Sequence, residues 1–85
     1  MKLAFTKPFK QDYKKLSENI QELIDKQIAH LLENPKHPSL QIKKMEGRQS
    51  IWEARITKGY RMTFQIVGDT YLLRRAGTHS ILKKP

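Results

Sequence analysis

Arginine and histidine are the residues of this chain whose chemistry stands out. All of its arginines lie in the second half of the sequence: Arg48, Arg55, Arg61, Arg74 and Arg75. The planar guanidinium group of arginine matches the geometry of a phosphate and can give it two parallel hydrogen bonds. His79 follows the last pair of arginines, and an imidazole can exchange protons near neutral pH. Together these residue types predict a site that binds phosphate and moves a proton.

The net charge predicts a polyanionic or acidic partner. The chain has 17 Lys and Arg residues against 8 Asp and Glu residues, a formal charge of +9. This charge is uneven, because residues 1–42 carry +2 and residues 43–85 carry +7. A basic region of this kind attracts a polyanion or an acidic protein. Generic solubility is the alternative, but it does not account for the segregation of arginine.

Length and composition exclude several classes of protein. A chain of 85 residues predicts one domain. It has no cysteine, so disulfides and thiolate zinc sites are impossible, and a reducing compartment such as the cytoplasm is expected. Three scattered histidines do not make a zinc ligand set, and we expect no metal and no cofactor. No apolar run approaches the roughly 20 residues of a membrane span, and the N-terminus lacks the apolar region of a secretory signal.

Hydrophobic periodicity predicts two consecutive helices over residues 8–33. Thr6 and Pro8 are typical of a helix start, and Ser17 can cap a second helix. The second helix shows a stripe at helical spacing: Ile20, Leu23, Ile24, Ile28, Leu31 and Leu32. Asn34 and Pro35 end it. We interpret the stripe as core, although a partner-binding face is the alternative.

The remaining segments predict strands. Residues 2–6 are short and strand-like, and residues 34–50 form a connector that can end in a strand. Residues 52–56, 60–66 and 70–76 alternate between apolar and polar side chains, and Lys58-Gly59 and Gly68-Asp69 supply the turns between them. The order is β-α-α-β-β-β. It predicts an α+β fold in which two N-terminal helices pack on a small, mainly antiparallel sheet.

Strand alternation also predicts which side chains lie on the sheet face away from the helices. If Met62 and Phe64 face the helices, Arg61 faces away from them. By the same argument this face carries Arg55, one of Arg74 and Arg75, and, at its border, Lys43 and Lys44. Such a face would be a concave phosphate site. A solvated face with cross-strand pairs to Glu53 is the alternative, but Glu53 can pair with only one or two of the arginines.

Two stretches resemble a known family. Residues 52–64 (WEARITKGYRMTF) resemble the run W-x-x-R-I-x-x-x-x-R-x-x-Y/F of the YoeB branch of the RelE/ParE superfamily of bacterial toxin–antitoxin toxins. Residues 70–82 (TYLLRRAGTHSIL) contain R-x-G-T-H-S, which resembles the YafQ branch. The element order and the basic character are similar to that superfamily along nearly the whole chain. The resemblance implies a RelE-like fold, with residues 1–85 as a single toxin domain.

The resemblance implies a function and a site. The function is a metal-independent endoribonuclease that acts on mRNA in the ribosomal A site, by attack of a 2′-OH on the adjacent phosphate. Arg61 matches the arginine that stabilises the scissile phosphate, and His79 matches the histidine that transfers a proton. The implied RNA contacts are Lys43, Lys44, Arg55, Arg74 and Arg75. A cognate antitoxin protein would cover this basic face.

Two departures from the family affect the proton-transfer groups. Where the YoeB-like branch has a glutamate, this chain has Gln41 and Ile42, and Glu46 lies after the lysines instead. Where that branch ends in His-Tyr, this chain has His79-Ser80. His79 is therefore expected to be the proton-transfer group. It can also be an ordinary surface histidine.

Two other functions remain open. One is a ParE-like toxin that poisons DNA gyrase and needs no nuclease residues. The other is a non-catalytic module that binds RNA or DNA. The combination of Arg61 with the G-T-H-S segment favours the nuclease.

Overall fold

The computed structural model describes residues 1–47 and 50–85. Its strands are β1 (Lys2–Phe5), β2 (Lys43–Lys44), β3 (Trp52–Arg55), β4 (Tyr60–Val67) and β5 (Thr70–Thr78). Its helices are α1 (Lys7–Lys15) and α2 (Glu18–Glu33), and a 3₁₀ helix (His79–Lys83) follows β5. The predicted order β-α-α-β-β-β is confirmed, with one further short strand, β2, inside the connector that was expected to end in a strand. Arg48, which belongs to the predicted connector, lies outside the described residues.

Both helices begin at the residues that the sequence indicated. The hydroxyl of Thr6 accepts a hydrogen bond from the backbone amide of Phe9, and the hydroxyl of Ser17 accepts one from Ile20. Each side chain thereby satisfies one of the amide groups that have no partner inside the helix. Asn34 is the C-cap of α2, directly before Pro35. The two helices are therefore separate elements joined at Leu16 and Ser17.

The five strands form one sheet in the order β1-β5-β4-β3-β2. Strand β1 pairs with β5 in parallel, and the other three pairs are antiparallel. Strand β1 ends at Phe5, opposite Leu73, so the second half of β5 has no strand on that side. Helix α1 packs there instead. The N-terminal strand therefore positions α1 against the part of β5 that carries the candidate site residues.

The core lies between α2 and one face of the sheet. Helix α2 buries Ile24, Ile28 and Leu31 in the same cluster as Met62 and Phe64 of β4. The stripe on α2 is thus core, as interpreted from its spacing, except for Leu32, which is exposed. The sheet contributes these residues from alternate positions, so Arg61 and Thr63 lie on the opposite face. We call this opposite face the outer face.

The element bounds differ from the sequence prediction mainly at β5. The strand was predicted to end at residue 76, but it continues to Thr78 because Thr78 pairs with Tyr60 at the start of β4. His79 therefore follows the strand directly, rather than at the end of a short tail. Among the residues that the structure describes, no helix is long and apolar enough to cross a membrane.

The buried amide of Gln27 connects α2 to the sheet edge. Its Nε2 donates to the carbonyl oxygen of Arg55 at 2.7 Å and to that of Ser39 at 3.3 Å. We expect Gln27→Met to lower the free energy of unfolding by about 1–3 kcal/mol, because both carbonyls lose a partner in a buried place. Urea denaturation measures this difference.

The matched control is Gln11→Met on α1. Gln11 is exposed, so we expect a change within about 0.5 kcal/mol. Equal unfolding midpoints for the two variants would contradict a structural role for the Gln27 amide.

Candidate active site

The outer face carries two rows of paired residues at one end of the sheet. In the first row Arg55 lies opposite Arg61, which lies opposite Gly77. In the second row Glu53 lies opposite Thr63, which lies opposite Arg75. Directly paired residues of antiparallel strands point to the same face, so these side chains share the outer face. The structure thus brings Arg55, Arg61 and Arg75 onto one face, as the alternation predicted.

A β-bulge changes the expected position of the adjacent pair Arg74 and Arg75. Thr63 pairs with Arg75 and Phe64 pairs with Leu73, so Arg74 is the extra residue of β5. A bulged strand places two residues opposite one on its neighbour. Arg74 consequently also reaches the outer face, where its Nη1 donates to Gln65 Oε1 at 2.7 Å. The expectation that only one of the two arginines lies there was wrong, because strict alternation assumes an unbroken register.

The chain after β5 returns across the outer face. A Cβ atom on Gly77 would lie 2.9 Å from Cγ2 of Ile81, so Ile81 packs on the face that Gly77 shares with Arg61. Ile81 is buried but does not belong to the core cluster on the helix side. Farther along, the carbonyl oxygens of Lys84 and Pro85 accept hydrogen bonds from Arg75 and Arg74. We call residues 79–85 the C-terminal segment.

The predicted open, concave face is therefore partly covered. Strand alternation gives the direction of side chains within strands, and it contains no information about chain that returns over them. Thr63 marks the covered region, since it is fully buried and its hydroxyl has no hydrogen-bond partner among the described residues. Arg61 lies beside it with 16% of its side chain exposed. The β3–β4 turn (residues 56–59) lies at the end of the strand pair that carries Arg61.

Backbone carbonyls hold the guanidinium of Arg61 in place. Its Nη1 donates to the carbonyl oxygens of three residues in and beside the β3–β4 turn: Thr57, Lys58 and Tyr60. Its Nε lies 4.0 Å from Oε1 of Glu53, at the limit of an ion pair. Its Nη2 has no partner among the described residues. The group is fixed and partly neutralised, and it retains donors for an additional acceptor.

His79 lies at the same end of the β4–β5 pair as Arg61. It follows Thr78, the partner of Tyr60, and it is the first residue of the 3₁₀ helix. Its side chain is exposed and has no hydrogen-bond partner among the described residues. Gly77 is the partner of Arg61 on β5, and His79 follows it by two residues. Arg61 and His79 therefore lie at the same end of the strand pair. Arg61 is anchored and mostly buried, whereas His79 is exposed and can contact a ligand.

The other predicted contacts separate into two groups. Lys43 pairs with Glu53 in register and lies 3.8 Å from its carboxylate, so Lys43 belongs to the outer face. Lys44 pairs with Trp52, which packs against the core, so it points to the opposite face. Arg55 is half-buried at the edge of the sheet, and its side chain forms no ion pair with a carboxylate among residues 1–47 and 50–85. The predicted grouping of both lysines with the arginines is wrong, because neighbours in a strand face opposite sides.

Asp12 is a site residue that the sequence analysis missed. Its Oδ2 accepts from Arg75 Nε at 2.6 Å and from the amide of Ala76 at 3.1 Å, and its Oδ1 accepts from Arg75 Nη2 at 3.2 Å. The hydrogen bonds to Asp12 raise the pKa of Arg75, against the opposing effect of burial. Arg75 is therefore committed to a structural ion pair. The one signal in the sequence was that Asp12 is the only acid in a helix with four lysines.

Within residues 1–47 and 50–85, no three His, Asp or Glu side chains come together as a group that could hold a metal ion. What the arrangement offers is a fixed guanidinium, a free imidazole and a partly neutralised basic surface. Such groups can stabilise negative charge on a phosphate and exchange a proton.

Comparisons with known structures identify the class of this fold. A YoeB/ParE toxin from Agrobacterium tumefaciens is similar, with a TM-score of 0.79, 21% identity, and coverage of 93% of this chain and 99% of that one. YafQ from E. coli strain BL21(DE3) has a TM-score of 0.78 at 13% identity, with 94% of each chain covered. RelE in a RelB–RelE antitoxin–toxin complex from Methanococcus jannaschii has a TM-score of 0.76 at 24% identity, with 95% of each covered. The fold is that of the RelE/ParE toxins, as the resemblance implied.

A family model assigns the chain within that class. Residues 3–81 match the model described as the ParE toxin of type II toxin–antitoxin systems. The chain belongs to this family. A comparison with curated proteins gives no significant match.

The contact between Gly77 and Ile81 can be tested by substitution. We expect Gly77→Ala to lower the free energy of unfolding by about 1–3 kcal/mol, because the added methyl group overlaps Ile81. Thermal and urea denaturation measure the effect, and the Ile81 methyl resonances should shift.

Gly59→Ala is the matched control, since a Cβ atom there meets nothing within 4 Å. We expect its stability to change by less than about 0.5 kcal/mol. A Gly77→Ala variant as stable as Gly59→Ala would show that the C-terminal segment does not pack on the outer face.

Proposed function

We propose that this protein is a cytoplasmic toxin that cleaves mRNA on the ribosome. Membership of a toxin family supports the first part of this proposal. The observation that supports cleavage is the position of Arg61 and His79 at one end of the β4–β5 pair. Both residues stand where the resemblance to the YoeB and YafQ branches implies a phosphate-binding arginine and a proton-transferring histidine.

In the proposed reaction the 2′-oxygen of a nucleotide attacks the adjacent phosphorus atom. The P–O5′ bond breaks, and the products carry a 2′,3′-cyclic phosphate and a 5′-OH. The negative charge on the phosphate oxygens grows in the transition state, and the unused N–H groups of Arg61 can donate to it. One donor of this kind contributes on the order of 10²–10³ in rate. Anchoring by backbone carbonyls favours this role, because the guanidinium need not be ordered when the substrate arrives.

His79 supplies the proton transfer. It either accepts the proton that leaves the 2′-OH or donates one to the departing 5′-oxygen, and each role contributes roughly 10²–10⁴ in rate. Its exposure at the start of the 3₁₀ helix lets it reach a nucleotide bound beside Arg61. Arg55 and Lys43 lie on the same face and would hold the neighbouring phosphates.

We also propose an antitoxin as the protein partner. Similar structures are complexes of RelE with RelB and of YafQ with DinJ. The +9 charge of this chain suits an acidic or amphipathic segment that covers its basic surface. Such a cover would block access to Arg61 and His79.

Poisoning of DNA gyrase is the second candidate function. The family model that matches the chain is that of the ParE toxins, which favours this candidate. The contact of Arg61 with Glu53, at 4.0 Å, is also compatible with a structural arginine. In that case His79 has no chemical role.

Primer extension on mRNA in a translation extract distinguishes the two candidates. We expect the wild type to produce specific breaks that require ribosomes. Arg61→Ala should reduce the rate by about 10²–10³ and His79→Ala by about 10²–10⁴, because each removes one of the groups that act on the phosphate.

Lys36→Ala is the control, because it removes one positive charge from an exposed residue of the connector that is not one of the candidate site residues. We expect it to cleave like the wild type. Intact mRNA, together with stalled DNA replication that persists in His79→Ala, would refute the nuclease and favour gyrase.

A further inference from the structure

A second basic surface lies on the other side of the β3–β4 turn from Arg61. It is a groove of about 670 Å³ between α2, the connector and the end of β3. We call it the histidine groove. Its lining includes five residues with basic side chains: Lys26, His30, His37, Arg55 and Lys58. None of its lining residues is an Asp or Glu.

The cationic side chains of this groove have no acidic partner within the described part of the chain. Lys26, Lys58 and Arg55, which borders both surfaces, form no ion pair with any described carboxylate, whereas Lys43, Arg61 and Arg75 each do. A groove with unneutralised cations and no acid has a positive potential that attracts an anion. The candidate ligand therefore carries negative charge.

The two histidines give the groove a flat aromatic wall. The rings of His30 and His37 stack with centroids 3.9 Å apart and planes 18° from parallel. Both rings are half-buried, so part of each remains available to a ligand. Stacked imidazoles offer the kind of surface on which nucleic acid bases stack.

Hydrogen bonds fix the orientation of His37. Its Nδ1 lies 3.2 Å from the backbone amide of Ser39 and 2.7 Å from the Ser39 hydroxyl. Because an amide N–H can only donate, Nδ1 is the acceptor in the contact with the Ser39 amide. The two contacts hold the His37 ring in one orientation. The ring is prearranged and does not lose freedom when a ligand binds.

We propose that the histidine groove binds a nucleotide of single-stranded RNA, with the base against the histidine pair and a phosphate held by Lys26 and Lys58. The assignment of a nucleotide is argued from charge and ring geometry, and the choice of RNA rests on the proposed function. Arg55 lines the groove and also pairs in register with Arg61. A strand bound at the groove can therefore continue past the β3–β4 turn to the outer face.

The test is binding of a short RNA oligonucleotide with 2′-O-methyl sugars, which lacks the hydroxyl needed for cleavage. We expect His30→Ala to weaken binding by about five- to tenfold, near the lower end for a base that stacks on an aromatic side chain. His30→Phe should retain most of the affinity because it keeps a flat ring. Fluorescence anisotropy measures the dissociation constants.

Salt dependence tests the phosphate contact. For Lys58→Ala we expect the slope of log K against log salt concentration to decrease by about 0.7, the value for one phosphate contact with a single strand. Lys36→Ala removes the same charge outside the groove, and its slope should equal that of the wild type. Equal affinity in the wild type, His30→Ala and Lys58→Ala would overturn the proposal.

Two competitors identify the ligand chemistry. Adenosine monophosphate should displace the oligonucleotide better than inorganic phosphate does, because only the former has a base. Displacement by a polyglutamate peptide that is unaffected by His30→Ala would show that the groove binds an acidic protein instead, and would refute the RNA assignment. Binding that depends on the groove in a protein that leaves mRNA intact would refute the nuclease alone.

Discussion

The carboxylate of Asp12 stabilises the irregular part of β5 on which the outer face depends. The bulge at Arg74 shifts the register between β4 and β5. Strand β1 ends at Phe5 and offers no partner to the second half of β5, but Asp12 accepts the amide hydrogen of Ala76 and two donors of Arg75. A buried amide without a partner would cost free energy comparable to a lost hydrogen bond. The helix thus replaces a strand at this edge, and β5 continues to Thr78 beside His79.

The arginines of the outer face differ in the groups that accept their hydrogen bonds. Arg75 binds a carboxylate, Arg74 binds Gln65 and the Pro85 carbonyl, and Arg61 binds the carbonyls of the β3–β4 turn. A guanidinium that is bound to a carboxylate is neutralised, whereas one that is bound to carbonyls is oriented but keeps its charge. Arg61 has only a marginal pair with Glu53, so most of its charge remains available to a phosphate. The type of acceptor that each arginine binds therefore distinguishes the candidate catalytic arginine from the structural ones. The number of arginines on the face does not.

The elements could be predicted from the sequence, but several contacts could not. Period and capping residues indicated both helices and the order of the elements along the chain, because local propensity and burial agree there. The bulge cannot be predicted from the alternation of apolar and polar residues, since the adjacent arginines Arg74 and Arg75 suit either register. The Asp12–Arg75 pair joins residues 63 positions apart, and no local pattern encodes it. The return of the C-terminal segment over Gly77 likewise depends on packing between distant residues, although Ile81 and Leu82 are apolar in an otherwise polar tail.

The β3–β4 turn connects the two basic surfaces physically. The carbonyl oxygen of Lys58 accepts a hydrogen bond from Arg61 on the outer face, while the same residue lines the histidine groove. A shift of this turn would move a donor at the candidate active site and a cation in the groove together, because both depend on the same short segment of backbone.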